Sequence, residues 1–292
     1  MCPLKISAIS FLNTAPLMWD FNHGVTPEQH CDHDLPPELR AYFTVEYTVP
    51  SRCAEDLRHG RADIGIIPAI TYATIPGLVI LPDAAIAAKG AVRSILLVAR
   101  KPIQQVNTIA ADTSSRSSVA LAQILCQTLW GRVRQFRDLP PDLDSMLAAC
   151  DAALLIGDPA LRIAREKYFV YDLAEEWRKF TGKPFVFAFW AVRLPALNEV
   201  RRSLDVAAVF RNSRDHGIQP ENIGQIARQW SPRVGLSERE ITSYLTRNVH
   251  FFLDAENLEG LELFFRYAVE CGVIDQVPSL RFLGMAAPQF VG

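Results

Sequence analysis

Six cysteines, at positions 2, 31, 53, 126, 150 and 271, stand apart with no Cys-x-x-Cys pair, so their spacing encodes neither a disulfide framework nor a zinc ribbon. Buried reduced thiols are the expectation. An excess of basic charge is missing too: 30 Lys and Arg face 32 Asp and Glu, and there is no basic run. That balance sets aside nucleic acid and polybasic membrane contact as partners. No apolar run approaches the roughly 20 residues needed to cross a bilayer, since even Asp63 to Leu81 is broken by Pro68, Pro76 and Gly77. Met1 to Ile9 carries one lysine and a short apolar stretch, and Asn13, Pro16 and Asp20 arrive before any signal-peptide core. A cytoplasmic protein is expected.

The sequence also lacks a Gly-x4-Gly-Lys-Ser/Thr loop, a Ser-His-Asp spacing and a His-Glu-x-x-His motif, so it offers no nucleotide-hydrolysis loop and no assignable nucleophile. His30, Cys31, Asp32 and His33 cluster, but adjacent positions converge poorly on one ion, and Pro36 and Pro37 follow. A solvated loop without metal is expected there. Pro-rich and Gly-rich linkers are absent, so segments joining parts of the fold read as strands or hinges.

What is present is an alternation of apolar strands and helices. Lys5 to Ser10 reads as a strand, Asn13, Thr14 and Pro16 as a turn, and a helix starts near Leu17. Tyr42 to Val49 is a second strand; Pro50 and Ser51 open a helix that runs through Arg58 and stops at Gly60. Ala62 to Ile67 is a third strand, with Pro68 at a first helical position. An echo follows. Asp63-Ile-Gly-Ile-Ile-Pro68 and Asp151-Ala-Ala-Leu-Leu-Ile156 both read helix, Asp, apolar strand, loop, Pro, helix, which implies two similarly built α/β lobes. The apolar strands Ser94 to Ala99 and Phe185 to Val192 are the two crossing segments. The expected division is residues 1–91 with 192–292 as lobe one and 92–191 as lobe two. The tail is helical, with a Ser237/Glu240 capping box and a Leu261, Phe264, Phe265, Ala268 face that covers lobe one.

Ligands of open α/β sheets collect where strands end and helices begin. Ser10, Asn13 and Thr14 follow the first strand, with capping and turn formation as their other reading. Thr113, Ser114, Ser115, Arg116, Ser117 and Ser118 lie between a strand at Thr108 to Ala111 and a helix at Val119 to Leu129. Their hydroxyls, amides and guanidinium suit a carboxylate; a simple N-cap needs one hydroxyl, and phosphate is a further possibility. Ser94 and Trp190 line the floor of the expected cleft, with core packing the competing role for Trp190. Pro68, Gly157 and Asp158 close its sides. Arg93 and Arg193 flank the crossings, either toward substrate carboxylates or in exposed ion pairs.

The segments ISFLNTAPL, VRSILLV, DTSSRSSVAL, LLIGDPAL and GKPFVFAFWAVR together resemble the chorismate dehydratases of the futalosine route to menaquinone, over most of the chain. The resemblance implies a two-lobed fold like the type II periplasmic binding proteins, with a central cleft, acting as a cofactor-free cytoplasmic lyase with no protein partner evident. It implies conversion of chorismate, a dicarboxylate, to 3-(1-carboxyvinyloxy)benzoate and water. It places Asn13 and Ser94 closest to the chemistry, Asn13 on the departing hydroxyl and Ser94 on the ring or a carboxylate, while Ser114, Ser115, Ser117 and Ser118 form an anion pocket. The proton acceptor stays open between a carboxylate, the substrate's own included, and water. Two alternatives stand beside this reading. The 1,4-dihydroxy-6-naphthoate synthase of the same route uses a cleft histidine, and the histidines here, at 23, 30, 33, 59, 216 and 250, fall outside the motifs quoted. A non-catalytic solute-binding protein for a small carboxylate would normally be exported.

Overall fold

The computed structural model describes residues 3–23, 35–197 and 204–284. The His30 to His33 cluster therefore lies outside the described residues. The chain forms β1 (Leu4–Ile9), a 3-10 helix (Leu12–Met18) running into α1 (Trp19–Asn22), α2 (Pro37–Arg40), β2 (Phe43–Thr48), α3 (Pro50–Arg58), β3 (Ile64–Pro68), α4 (Ala69–Tyr72) and β4 (Leu78–Ala88). There follow β5 (Ile95–Ala99), β6 (Thr108–Asp112), α5 (Ser117–Gln127), β7 (Gln135–Leu139), α6 (Leu143–Ala149), β8 (Ala152–Ile156), α7 (Gly157–Leu161), β9 (Phe169–Asp172) and α8 (Leu173–Thr181). β10 (Phe185–Arg193), α9 (Val206–Gly217), α10 (Pro220–Val234), α11 (Glu238–Arg247) and α12 (Ala255–Glu270) complete it.

The strands make two five-stranded sheets, ordered β2-β1-β3-β10-β4 and β7-β6-β8-β5-β9. In each, three parallel strands are followed by one antiparallel strand and an edge strand. The antiparallel member in both sheets is the strand that follows a crossing: β10 in the first, β5 in the second. The Asp63 and Asp151 echoes fall on β3 and β8, which hold the same place in their sheets. The repetition has a physical basis, because each half is a βαβ unit whose apolar central strand must be covered on both faces. β3, β5 and β8 are buried along their whole lengths. Within β3, Gly65 lets α3 approach closely: a Cβ there would lie 3.0 Å from Leu57.

Two sequence expectations shift. Pro68 ends β3 in extended conformation and stands in the N-cap position of α4 rather than inside the helix, its carbonyl accepting from the Thr71 hydroxyl at 2.6 Å. β10 belongs to the first sheet from Phe185 onward, so the return crossing precedes position 185 instead of falling near 192. A crossing strand buried between neighbours carries no compositional mark of which sheet owns it. The crossing is pinned at Pro184, whose carbonyl accepts from the Trp177 indole at 3.1 Å and would lie 2.3 Å from any Cβ on Gly260 of α12. The outgoing crossing is held by Asp172, which accepts from the Val92 and Arg93 amides at 3.1 and 2.6 Å and steadies Arg93 at a left-handed φ of 66°. The capping box on α11 and the buried face of α12 form as read from the sequence. No helix among the described residues is long and apolar enough to cross a membrane.

Candidate functional site

The two sheets meet where their parallel strands end. Three backbone amides of the first half reach acceptors in the second: Leu12 to Asp158 Oδ1 at 3.0 Å, Ser51 to the Ser114 carbonyl at 3.0 Å, and Ile70 to Ser117 Oγ at 3.2 Å. These amides open the 3-10 helix, α3 and α4, and their partners stand at the starts of α5 and α7. None of the five helices that meet here has a side-chain cap from its own N-cap residue. By contrast, α6, α8, α9, α11 and α12 are each capped in that way by Asp142, Asp172, Asp205, Ser237 and Asp254. Helix starts without local caps carry partial positive charge and unpaired N–H groups, which favours anions at the junction.

Asn13 and Ser94, far apart in sequence, converge on a residue that the motifs did not single out. The buried hydroxyl of Tyr244, on α11, donates to Ser94 Oγ at 2.8 Å, and the Asn13 side chain lies close enough to act on the same phenol. Burial, above all, drives the Tyr244 phenol well above its ordinary pKa, with Asp158 adding in the same direction and the Ser94 hydrogen bond and the nearby Asn13 side chain opposing it. It stays a neutral donor. Asn13 is itself buried and its Oδ1 accepts from Thr14 Oγ1 at 3.4 Å. In the sequence Tyr244 sits with Ile241 and Leu245 on the apolar face of a helix, where it reads as core; the one hint is that a buried phenol needs a polar partner.

The serine-rich turn is less free than its composition suggests. Ser114 turns back, its hydroxyl and amide both donating to Asp112 Oδ1 at 2.6 and 2.8 Å. Burial pushes the Asp112 pKa up against those bonds and the Ile156 amide. Ser117 Oγ is taken by Ile70, Ser115 and Ser118 are buried beside them, and Thr113 and Arg116 are exposed. α5 opens at Ser117, ahead of the expected Val119, with Arg116 in the N-cap position and no side-chain cap, so the N-cap reading of this turn does not hold.

Ser10 and Thr14 face a neighbouring space. With Phe11, Met18, Tyr47 and Trp230 they line a cavity of about 290 Å³ between the start of the first half and α10, while Ser10 Oγ donates to the Thr48 carbonyl at 3.2 Å. His23 also borders this cavity, its ring stacked on Trp19 at 3.5 Å. Trp190 does not line the floor: it is fully buried, edge-on to Phe210 at 4.7 Å, with no hydrogen-bond partner for its indole N–H among the described residues. Its ring reaches Phe210 of α9, a long-range contact that alternation along one strand could not reveal. Arg193 lies at the far end of its sheet, against Gly60 and with its amide on the Asp63 carbonyl, away from the junction. Gly157 and Asp158 do reach the junction: the Gly157 amide donates to the Ser94 carbonyl at 2.8 Å. Among the described residues no group of three His, Cys, Asp or Glu is placed to hold a metal ion.

A family model described as menaquinone biosynthesis matches residues 4–270. The chain is 28% identical over 240 residues to the chorismate dehydratase of Thermus thermophilus, covering 76% of this chain and 85% of that one. Among solved structures, protein AF1704 of Archaeoglobus fulgidus aligns with a TM-score of 0.67 at 16% identity, covering 93% and 98% of the two chains. The periplasmic aliphatic sulphonate binding protein SsuA of Escherichia coli aligns with a TM-score of 0.62 at 17% identity, covering 94% of each. The two-sheet architecture is that of the periplasmic binding proteins.

Proposed function

The chain belongs to the menaquinone biosynthesis family, and from that premise we propose that it is a chorismate dehydratase, a hydro-lyase that converts chorismate to 3-(1-carboxyvinyloxy)benzoate. The observation that carries this reading is the meeting of Asn13 and Ser94 on Tyr244 at a junction of helix starts that lack caps of their own. Loss of the C4 hydroxyl and the C3 proton turns the broken C3–H pair into a ring double bond, so the product is aromatic and the balance of atoms is one water. Such a step asks the protein to orient the substrate and to steady the departing oxygen.

Asn13 donates from its amide to the C4 hydroxyl as it leaves. Ser94 accepts from Tyr244, which leaves its own proton to point at the ring or a carboxylate of the substrate. The starts of α5 and α7, with Ser115 and Ser118, hold the carboxylates by N–H and O–H donors. An amide is too weak a base for the C3 proton, which passes to a carboxylate, the enolpyruvyl carboxylate of the substrate included, or to water. The two lobes, built on the two sheets and with β10 in the first, close over the substrate and exclude water. The protein acts in the cytoplasm on a small dicarboxylate.

Incubating the purified protein with chorismate and weighing the product tests the reading. Loss of one water supports it; chorismate bound and returned intact identifies a solute-binding protein instead. Asn13→Ala lowers kcat by about 10²–10³, the range for removing one donor to a developing oxyanion. An unchanged kcat overturns the role of Asn13.

A further inference from the structure

The charged member of the three contacts across the junction stands beside Asn13. The helix Leu12–Met18 opens with Phe11 in the N-cap position, and a phenyl ring has no oxygen to offer. The Leu12 amide is thus one of the donors that a helix leaves unpaired at its start, and Asp158 Oδ1 of the other half takes it at 3.0 Å. Gly157 fixes where Asp158 stands. Its φ of +64° is left-handed, and a Cβ on it would lie 2.6 Å from the Phe11 ring, so the two halves can approach this closely only at glycine. The same residue donates its amide to the Ser94 carbonyl at 2.8 Å. One dipeptide therefore holds the backbone of Ser94 and the first amide of the turn that bears Asn13.

We infer that Asp158 is a positioning residue, an N-cap supplied across the junction that sets Asn13 opposite Ser94 when the halves meet and releases it when they part. This rests on the dehydratase reading for its chemistry, though not for its geometry. A cap within the same segment would order the helix at all times, whereas a cap from the opposite half makes the placement of Asn13 depend on closure. A carboxylate suits the task because a helix start attracts negative charge. Burial pushes the pKa of Asp158 up to about 6, against the Leu12 amide and the charge of Arg162 in the C-cap position of α7. Tyr244, from α11, also faces it and remains neutral. Parting the halves returns the carboxyl to water and toward its ordinary value, so closure takes up a proton and is favoured more below pH 6 than above it.

Wild type, Asp158→Asn and Asp158→Ala decide the matter, each checked for folding by thermal melting. Asparagine keeps an acceptor oxygen and loses the titration; alanine loses both. Hydrogen exchange of the peptide over residues 11–18 reads the cap without any substrate: it is expected to quicken about tenfold or more in Asp158→Ala and to stay near wild type in Asp158→Asn. In turnover of chorismate, Asp158→Ala is expected to lose about tenfold in kcat with little change in KM, Asp158→Asn to restore most of it, and the pH dependence of kcat near 6, which reads the closed complex, to vanish in Asp158→Asn. Unchanged exchange in Asp158→Ala overturns the inference. So does an Asp158→Asn protein that is inactive with its exchange intact, because the carboxylate then takes part in the chemistry. If exchange behaves as expected while the wild type leaves chorismate untouched, the cap stands and the dehydratase reading falls. Should Asp158→Ala melt below the assay temperature, the pH profiles of wild type and Asp158→Asn decide alone.

Discussion

The Tyr244 hydroxyl does work that no shorter side chain on α11 could do, because it spans from a tail helix to Ser94 at the start of the outgoing crossing. Tyr244→Phe keeps the ring and its packing but leaves Ser94 Oγ without that donor. An unpaired buried hydroxyl costs the fold about 1–3 kcal/mol, and because Ser94 Oγ is then no longer oriented by its donor, kcat is expected to fall about tenfold while KM holds. Steady-state kinetics with a melting curve separate this from simple unfolding. A variant that loses stability and keeps kcat would make Tyr244 a core residue only. Trp190 shows the opposite case: of the two roles open to it, cleft floor and core packing, it takes core packing, edge-on to Phe210.

At the scale of elements, the 3-10 helix that carries Asn13 is seated by α9. Ser213 Oγ donates to the Leu17 carbonyl at 2.9 Å and accepts from the Asp20 amide at 3.1 Å, and His216 meets Asp20 at 2.8 Å. Gly217 ends this contact. A Cβ there would fall 1.9 Å from the Pro16 carbonyl oxygen, which is backbone and has no rotamer by which to move aside. Gly217→Ala is therefore expected to cost about 3 kcal/mol, at the upper end of overpacking, and to lower kcat by shifting Asn13; urea denaturation and kinetics check both. Gly224→Ala on α10 is the control. Its nearest neighbour is Arg228 Nη1 at 3.8 Å, so alanine there should stabilise by up to about 1 kcal/mol through helix propensity.

Across the whole molecule, acid acts through carboxylates paired where elements begin, Asp151 just before β8 and Asp254 at the N-cap of α12. Asp151 has its pKa lowered to about 2, first by Lys101 at 2.7 Å and then by the Asn107 and Thr108 amides, against the effect of burial. Burial alone would raise Asp254, but Lys89, the Asn257 amide and His250 together bring it to about 2. Both are depressed groups, so their stabilisation is complete above pH 4 and is lost as pH falls from about 4 to 2. Lys101→Ala should remove about 1 kcal/mol of stability at pH 7, once solvent screening is allowed for, and narrow the loss between pH 4 and 2. Melting curves across that window check it, and identical slopes in both proteins would contradict it. Asp158 and Asp112, both raised, respond in the opposite sense.

Local chemistry was enough to write down most of the elements. The apolar runs of β1, β3, β6 and β8, the stop at Gly60, the capping box on Ser237 and the echo between Asp63 and Asp151 are properties of short segments, and each exerts its effect through neighbours a few residues away. The Asn13 turn and the Gly157-Asp158 pair stand out locally because they follow the apolar strands β1 and β8, and Ser94 because it interrupts an apolar stretch just before β5, while the roles of Asn13 and Ser94 come from the resemblance. Tertiary structure decided what those residues face. It brought Tyr244 from a tail helix to Ser94, bent Ser114 back onto Asp112, gave β10 to the first sheet and turned Trp190 and Arg193 away from the junction. These outcomes depend on which surfaces are buried together when two sheets and a helical tail pack, and a buried hydroxyl or indole looks the same in sequence whether its partner is a core residue or a substrate.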